Sequence, residues 1–260
     1  MIHVRFCKPR VKRWRDWRRA CDLKLAALKA QSGPPYEIDE NLYKQCRDLL
    51  FEPYSNKCAY CEGKLFAQST GQVEHFRPKG GVRDLNNRVV KLGRKRLHPG
   101  YWWLAYDPAN LLPACSMCNV YSRKTGGKGE RFPLPENGFI ATKPGEEKKE
   151  KPLLIHPAQE DPSKLFDIEF DTGALKPKNK RAEICIKVLG LNREALLQER
   201  IQAGMNATLY IKECRDKKFP AKSYKKLLDD QLAGRLPYSL VWRKVNEQMT
   251  AKGATKATPK

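Results

Sequence analysis

The sequence predicts an α+β protein in which a small module of short strands and loops lies between two helical extensions. Helical spacing of apolar residues dominates the first 53 residues and the chain from Lys180 onward. From Lys57 to Phe132, short apolar runs, paired glycines and paired cysteines replace that spacing. The predicted segments are therefore a helical N-terminal extension over 1–53, the module over 54–140, and a mostly helical C-terminal extension over 141–260.

The composition predicts a polyanionic partner. The 260 residues include 51 Lys and Arg against 29 Asp and Glu, giving a formal charge of +22 and a sequence pI near 9.7. A surplus of this size exceeds what solubility requires and favours binding to nucleic acid. Charge alone does not distinguish DNA from RNA.

The pattern of charged and apolar residues predicts a cytoplasmic protein that has no contact with membranes. Charges interrupt the stretch from Met1 to Arg19 every two or three residues, and no apolar run reaches the length of a membrane span. In a reducing compartment, an odd number of cysteines, nine here, favours thiols and metal ligands over a disulfide scaffold.

The N-terminal extension is predicted to hold two helices. In the first helix, apolar residues recur at helical spacing with arginines between them: Trp14, Trp17, Cys21, Leu25 and Leu28. This basic amphipathic helix either packs with a solvated outer face or contacts phosphates directly. Asp39 can cap a second helix that carries Leu42, Cys46, Leu49 and Leu50 and stops at Pro53.

Two C-x2-C pairs, Cys58 with Cys61 and Cys115 with Cys118, predict a structural zinc site. Each pair can place two thiolates on one side of a tight turn, and four thiolates favour zinc. The long interval between the pairs predicts that the ion staples the start of the module to its end. The alternative is four buried or redox-active thiols. The other cysteines are expected to be ordinary apolar thiols: Cys7, Cys21, Cys46, Cys185 and Cys214.

Between and around the cysteine pairs lie Glu74-His75, Asn110-Leu111 and Asn119. This order resembles the HNH nuclease family. In that family an acidic residue and a histidine follow a first C-x2-C, and an Asn-Leu and then a C-x2-C-Asn come after them. The resemblance implies a ββα-metal core that hydrolyses phosphodiester bonds of DNA. His75 would accept the proton of the attacking water, and Asn110 would hold a loop that orients His75.

The same resemblance implies a catalytic metal ion. Glu74 and Asn119 offer hard oxygen ligands that suit Mg²⁺ or Mn²⁺. Asn119 would open the helix after the second cysteine pair. Four basic residues are candidates for phosphate binding: Arg77, Lys79, Arg123 and Lys124. Arg123 and Lys124 would lie on that helix. The sequence departs from the family at Ser122, where a lysine is usual three residues after the last Asn.

A narrower resemblance covers roughly residues 50 to 200. It rests on Glu74 to Lys79, Tyr101 to Tyr106, Arg131 to Leu134, Leu154 to Pro157 and Leu189 to Arg193. These stretches are similar to the HNH nuclease subunits of Septu-type and retron-associated antiphage defence systems. The resemblance implies a toxic effector restrained by an ATPase partner. The chain itself contains no G-x4-G-K-[ST] loop, so ATP dependence would come from that partner.

The C-terminal extension is predicted to begin after an exposed linker from Ala141 to Pro152. A strand from Asp167 to Asp171 precedes a turn at Thr172-Gly173, and helices follow from Lys180. Gly190 fits a helix C-cap and Asn192 the cap of the next helix. That helix would bury a stripe of Leu197, Ile201 and Met205. Ala251 to Lys260 is expected to be a disordered basic tail.

Several alternatives remain open at the level of sequence. A non-catalytic, zinc-stapled module that binds nucleic acid would need only the charge, the tryptophans and the cysteine pairs. An RNA-cleaving enzyme of the same fold, or a scaffold with an idle site, would carry the same motifs. Four basic residues between the motifs could follow a duplex backbone or form a solvated hairpin tip: Lys91, Arg94, Lys95 and Arg96. His3, His98 and His156 are expected to have structural or solvent roles.

Overall fold

We describe a computed structural model of the chain over residues 1–5, 8–45, 47–65, 71–94, 96–215 and 221–255. It is a mixed α/β protein. The helices are α1 (Lys12–Lys29), α2 (Glu40–Lys44), α3 (Arg47–Phe51), α4 (Ser116–Asn119), α5 (Lys180–Leu189), α6 (Glu194–Arg215), α7 (Ala221–Leu232) and α8 (Ser239–Thr255). The strands are β1 (Gln72–His75), β2 (Lys91–Leu92), β3 (Arg96–Leu97), β4 (Leu111–Ala114), β5 (Phe166–Glu169) and β6 (Ala174–Pro177).

The N-terminal helices follow the predicted pattern with one difference. α1 buries Trp14, Trp17, Cys21 and Leu28, and Asp39 caps α2 by accepting from two backbone amides. The predicted second helix is divided into α2 and α3, with Cys46 outside the described residues. Trp17 Nε1 donates to Leu42 O at 2.7 Å. α2 closes with an i→i+3 bond from Gln45 N to the same carbonyl at 3.3 Å.

Three two-stranded antiparallel sheets occur within the described ranges. β1 pairs with β4 so that Glu74 lies opposite Leu112 and His75 opposite Leu111. All four residues of β4 are buried, and α4 follows β4 after one residue. This strand pair therefore sets the glutamate and histidine of the predicted motif inside the protein.

The three predicted segments pack against one another. Arg18 of α1 donates to Tyr106 O at 2.6 Å, and Arg77 pairs with Glu150 at 2.9 Å. Lys57 is buried and donates through Nζ to Leu236 O at 3.0 Å. Contacts thus cross both proposed boundaries, near residues 53 and 140, and the boundaries themselves stay a prediction.

The stretch from Ala141 to Pro152 is mostly exposed, as its charge suggested, but it is attached to the module at Ala141 and Glu150. Ala141 is fully buried, and Glu150 is 7 % exposed. Glu150 accepts from Tyr101 Oη at 2.6 Å and from Ala141 N at 2.9 Å, and it pairs with Arg77. A charged residue can be buried when a partner of opposite charge neutralises it, and Arg77 neutralises Glu150 here.

The first elements of the C-terminal extension match the prediction. β5 and β6 form a hairpin turning at Thr172-Gly173, and Gly190 caps α5 with a φ of 59°. Asn192, however, does not cap α6. Its amide instead accepts from Leu175 N at 2.9 Å and donates to Leu175 O at 3.0 Å, which joins this turn to β6.

The predicted apolar stripe of α6 was wrong in register. Met205 is 58 % exposed, whereas the buried face is formed by Leu196, Arg200, Ala203, Ala207 and Ile211. α6 packs on α8, and small residues on this face allow the close approach. The tail predicted from Ala251 was wrong up to Thr255, because these residues belong to α8; residues 256–260 lie outside the described part.

A search of the described helices for one both long and apolar enough to cross a membrane found no candidate.

Candidate functional site

The four cysteines of the two C-x2-C pairs converge. Cys58 and Cys61 flank a tight turn in which Cys58 N donates to Gly63 O at 2.9 Å, and Cys115 and Cys118 lie at the start of α4. All four Sγ atoms lie within 4.8 Å of one another, with Cys61 and Cys115 Sγ 3.8 Å apart. A tetrahedral zinc ion with sulfurs at about 2.3 Å separates them by about 3.8 Å. The cluster could therefore hold a structural zinc ion.

The cluster joins distant parts of the chain, as the spacing predicted. Ala59 N, inside the first turn, donates to Pro113 O of β4 at 2.8 Å. The first turn is thereby attached to the strand that leads into α4. An ion held there would fix both ends of the segment that contains β1.

Arg193 lies against the cysteine cluster and was not assigned a role from sequence. Its guanidinium is 3.6 Å from Cys118 Sγ and 3.8 Å from Cys115 Sγ. Burial acts to lower the pKa of Arg193, but the thiolates of Cys118 and Cys61 outweigh it and raise the pKa. Four thiolates around a divalent ion leave excess negative charge, which this cation offsets. In the sequence analysis, Arg193 appeared only as part of the stretch from Leu189 to Arg193 that carries the narrower resemblance.

His75 ends β1 in a buried position. Its Nε2 lies 2.9 Å from Ala105 O, and burial lowers the pKa of His75 to about 3. A carbonyl only accepts hydrogen bonds, so Nε2 carries the proton and Nδ1 keeps its lone pair. The ring is therefore neutral at physiological pH, with an unprotonated Nδ1.

Asn110 holds the loop that follows His75. Its Oδ1 accepts from Arg77 N at 2.7 Å, and its Nδ2 donates to Arg77 O at 3.0 Å and to Leu104 O at 3.2 Å. Arg77 is two residues beyond His75, and Leu104 precedes the residue whose carbonyl accepts from the ring. This geometry is what the predicted positioning role of Asn110 requires.

Glu74 is paired with a lysine that the sequence analysis did not select. Glu74 Oε1 lies 2.7 Å from Lys128 Nζ, which also donates to His75 O at 2.8 Å. Lys128 is fully buried and Glu74 is 4 % exposed. Burial raises the pKa of Glu74, and the Lys128 ammonium offsets part of that effect. The predicted acidic ligand is thus already neutralised by an internal cation.

A loop excursion brings Lys128 to β1. Lys128 N donates to Cys118 O at 2.7 Å, so the chain leaves after α4 and returns beside it. At the return point Gly127 has a φ of 98°, and a Cβ there would lie 1.9 Å from Val120 O. Only glycine fits this position.

Asn119 is the last residue of α4 and not the first residue of a helix, as the sequence had suggested. Its Nδ2 donates to Gln72 Oε1 at 2.8 Å. Within the described ranges, no hydrogen bond or ion pair joins Asn119 to Glu74. Arg123 and Lys124 are exposed, but they lie in the turn after α4 and not on the helix that had been expected there.

Two of the predicted phosphate-binding residues make internal contacts. Arg77 pairs with Glu150, stacks 5.2 Å above the Phe132 ring, and has an 11 % exposed side chain. Lys79 Nζ lies 3.0 Å from Glu40 Oε1. The structure therefore does not show the free guanidinium expected at Arg77, because a buried carboxylate occupies it. The hairpin of β2 and β3 is exposed, and Lys95 at its tip lies outside the described residues.

Tyr43 of α2 covers His75. The two rings meet edge to face with centroids 4.8 Å apart, and His75 is 6 % exposed. Asp39, the cap of α2, donates through its amide to Tyr106 Oη at 2.7 Å. The N-terminal extension is thus part of the wall around the histidine, a contact between segments that no local sequence pattern could indicate.

Fold and site together define a mixed α/β protein with a four-cysteine cluster able to hold zinc and a buried Glu-His pair on an adjacent strand. The chain is similar to two curated proteins of Bacillus mycoides (strain KBAB4). It is 34% identical to Septu protein PtuB over 177 residues, which are 67% of this chain and 55% of that protein. It is 30% identical to Septu protein PtuA over 153 residues, which are 57% of this chain and 19% of that protein.

These matches leave much of both relatives uncovered: the chain spans about half the length of Septu protein PtuB and about a fifth of Septu protein PtuA. No family model and no solved structure matches the chain. The similarity to these two Septu proteins supports the Septu part of the predicted resemblance. The HNH nuclease assignment stays a prediction.

Proposed function

We propose that this protein is a metal-dependent HNH-type endonuclease that hydrolyses phosphodiester bonds of DNA. The observation that carries the proposal is the arrangement of His75 and Asn110. A neutral imidazole with a free Nδ1 ends β1, and an asparagine with three hydrogen bonds fixes the segments on both sides of it. A general base needs both properties: an available lone pair and a fixed direction.

In this mechanism His75 Nδ1 takes the proton from a water molecule as the water attacks phosphorus. The Nε2 contact with Ala105 O stabilises the imidazolium that forms, because a charged donor strengthens a hydrogen bond to a carbonyl. Such proton transfer contributes about 10²–10⁴ in rate. The phosphorus–oxygen bond to the leaving group then breaks, and the leaving oxygen takes a proton from solvent.

Glu74 and Asn119 are the proposed ligands of Mg²⁺ or Mn²⁺, which would relieve charge on the phosphate when bound. Carboxylate and amide oxygens suit a hard cation, but in this conformation the Lys128 ammonium lies 2.7 Å from Glu74 Oε1. Divalent metal and ammonium would compete for this carboxylate. Turning the Asn119 amide toward Glu74 would also break its bond to Gln72.

The buried setting of His75 suggests that the enzyme is held inactive in this conformation. Tyr43 lies against the ring, so a substrate phosphate reaches Nδ1 only if α2 moves. We propose that this restraint belongs to a Septu-type antiphage defence complex in which an ATPase subunit controls the nuclease. Similarity to Septu protein PtuB and Septu protein PtuA supports this assignment.

The burial of Glu74 and His75 also favours a second candidate, a zinc-stapled nucleic-acid-binding module without catalysis. In that case the Glu74–Lys128 pair would be purely structural. A nuclease that cleaves RNA is the third candidate, because the site contains no group selected by the sugar.

The experiment that separates these candidates is incubation of the purified protein with plasmid DNA and with RNA, alone and with any ATPase encoded beside it. Each reaction contains Mg²⁺, Mn²⁺ or no added divalent ion. The proposal predicts DNA cleavage that requires the divalent ion and decreases when the restraining partner is bound. Cleavage of RNA alone would favour the third candidate. Tight binding with no cleavage under any condition would favour the non-catalytic module.

A further inference from the structure

The N-terminal segment carries exposed cations that the candidate site does not use. We call them the N-terminal basic strip: Arg5, Lys8, Arg10, Lys12, Arg15 and Arg19. All six side chains are exposed. Within the described ranges, none of them has an ion pair with a carboxylate. Asp16 and Asp22 line surface grooves beside the strip, but among the described residues neither forms an ion pair with it.

Other arginines of α1 differ from the strip in this respect. Arg13 pairs with Asp48, and Arg18 pairs with Asp22 at 3.0 Å and donates to Tyr106 O. Arg13 and Arg18 are thus compensated, whereas Lys12, Arg15 and Arg19 have no ion pair with a carboxylate of the described residues. An uncompensated row of cations raises the local positive potential and attracts a polyanion.

The spacing of the strip suits a row of phosphates. Lys12, Arg15 and Arg19 stand at i, i+3 and i+7, which places them on one face of α1. At 1.5 Å per residue they span about 10.5 Å, a length over which duplex DNA presents about six phosphate charges. The preceding segment is anchored by Val4 N, which donates to Pro157 O at 2.9 Å, so the strip begins on a fixed backbone.

The strip belongs to the packed unit that surrounds His75. α1 contacts α2 through the bond from Trp17 Nε1 to Leu42 O, and α2 places Tyr43 on His75. α1 also reaches Tyr106 O through Arg18, one residue beyond the carbonyl that accepts from His75. A duplex held by α1 would therefore act on the two elements that enclose the histidine.

We propose that the N-terminal basic strip is the surface on which the protein docks duplex DNA, through the phosphate backbone and without reading bases. This inference rests on the proposed function and names its docking site. It replaces Arg77 and Lys79, whose cations are paired internally, as the first contacts with substrate. A protein partner is less well matched, because the core of a protein interface is apolar and depleted in charged residues.

The test measures binding of a fluorescent DNA duplex of about 30 base pairs at several salt concentrations, without added Mg²⁺ or Mn²⁺. It compares the parent protein with the K12Q/R15Q/R19Q variant. Each phosphate contact contributes about 0.9 to the slope of log affinity against log salt. We expect the variant to lose about 2 to 3 from this slope and at least about tenfold in affinity near 0.1 M salt.

The matched control is K187Q/K225Q/K226Q, which removes three charges from exposed lysines of α5 and α7. Its slope is expected to differ from the parental slope by no more than about 0.9, the contribution of one phosphate contact. An unchanged slope in K12Q/R15Q/R19Q, or an equal loss in the control, would overturn the proposal. Binding confined to an RNA duplex of the same length would also overturn it. Because no cleavage is needed, the outcome is independent of whether the protein proves to be a nuclease.

Discussion

The Cys118→Ser variant is expected to lose bound zinc and to be unfolded at room temperature. A structural zinc ion contributes on the order of 10 kcal/mol to folding, which is as large as the whole free energy of unfolding of a typical domain. Cys118 Sγ is fully buried among the other three sulfurs and beside Arg193. Its loss would leave an open ligand position and an arginine facing too little negative charge. Circular dichroism and zinc content by atomic absorption measure the two effects.

Cys185→Ser is the matched control. Cys185 is also fully buried, but it lies outside the cluster and accepts from Ile155 N at 3.2 Å, a bond that a serine hydroxyl can replace. We expect this variant to keep its zinc and to lose only about 1 kcal/mol of unfolding free energy. If Cys118→Ser melted at the same temperature as Cys185→Ser, the cluster would not be a structural zinc site.

Replacing Lys128 with methionine is expected to lower the free energy of unfolding by about 3–5 kcal/mol, since removing one partner of a buried ion pair leaves the other charge uncompensated. Here the remaining charge is Glu74, which is 4 % exposed, and the carbonyl of His75 also loses its donor. Urea unfolding of the parent and the variant at neutral pH measures the difference.

A double variant separates charge from packing. Glu74→Gln combined with Lys128→Met removes both charges and is expected to recover much of the lost stability. If Glu74 is a metal ligand, Mn²⁺ should raise the melting temperature of Lys128→Met more than that of the double variant. Equal stability of Lys128→Met and the parent would show that the pair does not support the fold. An equal Mn²⁺ response would argue against Glu74 as a ligand.

Local patterns predicted much of the fold. The buried face of α1, the Asp39 cap, the β5–β6 turn and the Gly190 cap each depend on residues a few positions apart, which sequence periodicity and turn chemistry report directly. The errors occurred where tertiary contacts decide. Asn192 forms bonds to a neighbouring strand, and the buried face of α6 follows the small residues that meet α8.

The candidate site shows the same division. The spacing of the paired cysteines alone predicts a shared metal ion, and the four cysteines do converge in the structure. Lys128 and Arg193 could not be selected, because their roles depend on a loop excursion and on a helix junction that come close only in the folded chain. The burial of Glu150 could not be predicted for a similar reason, because the arginine that neutralises it is distant in sequence. Buried charge pairs of this kind have no period and no motif.

The most direct test of the nuclease proposal compares DNA cleavage by the parent, by His75→Ala and by His156→Ala under the activating condition. His156 is a matched buried histidine: its Nε2 also lies near a backbone carbonyl, Ala109 O at 3.0 Å, and it packs against Phe76. We predict that His75→Ala slows cleavage by about 10²–10⁴, whereas His156→Ala cleaves at nearly the parental rate wherever it remains folded. Cleavage by His75→Ala at the parental rate would contradict the assignment of His75 as the general base.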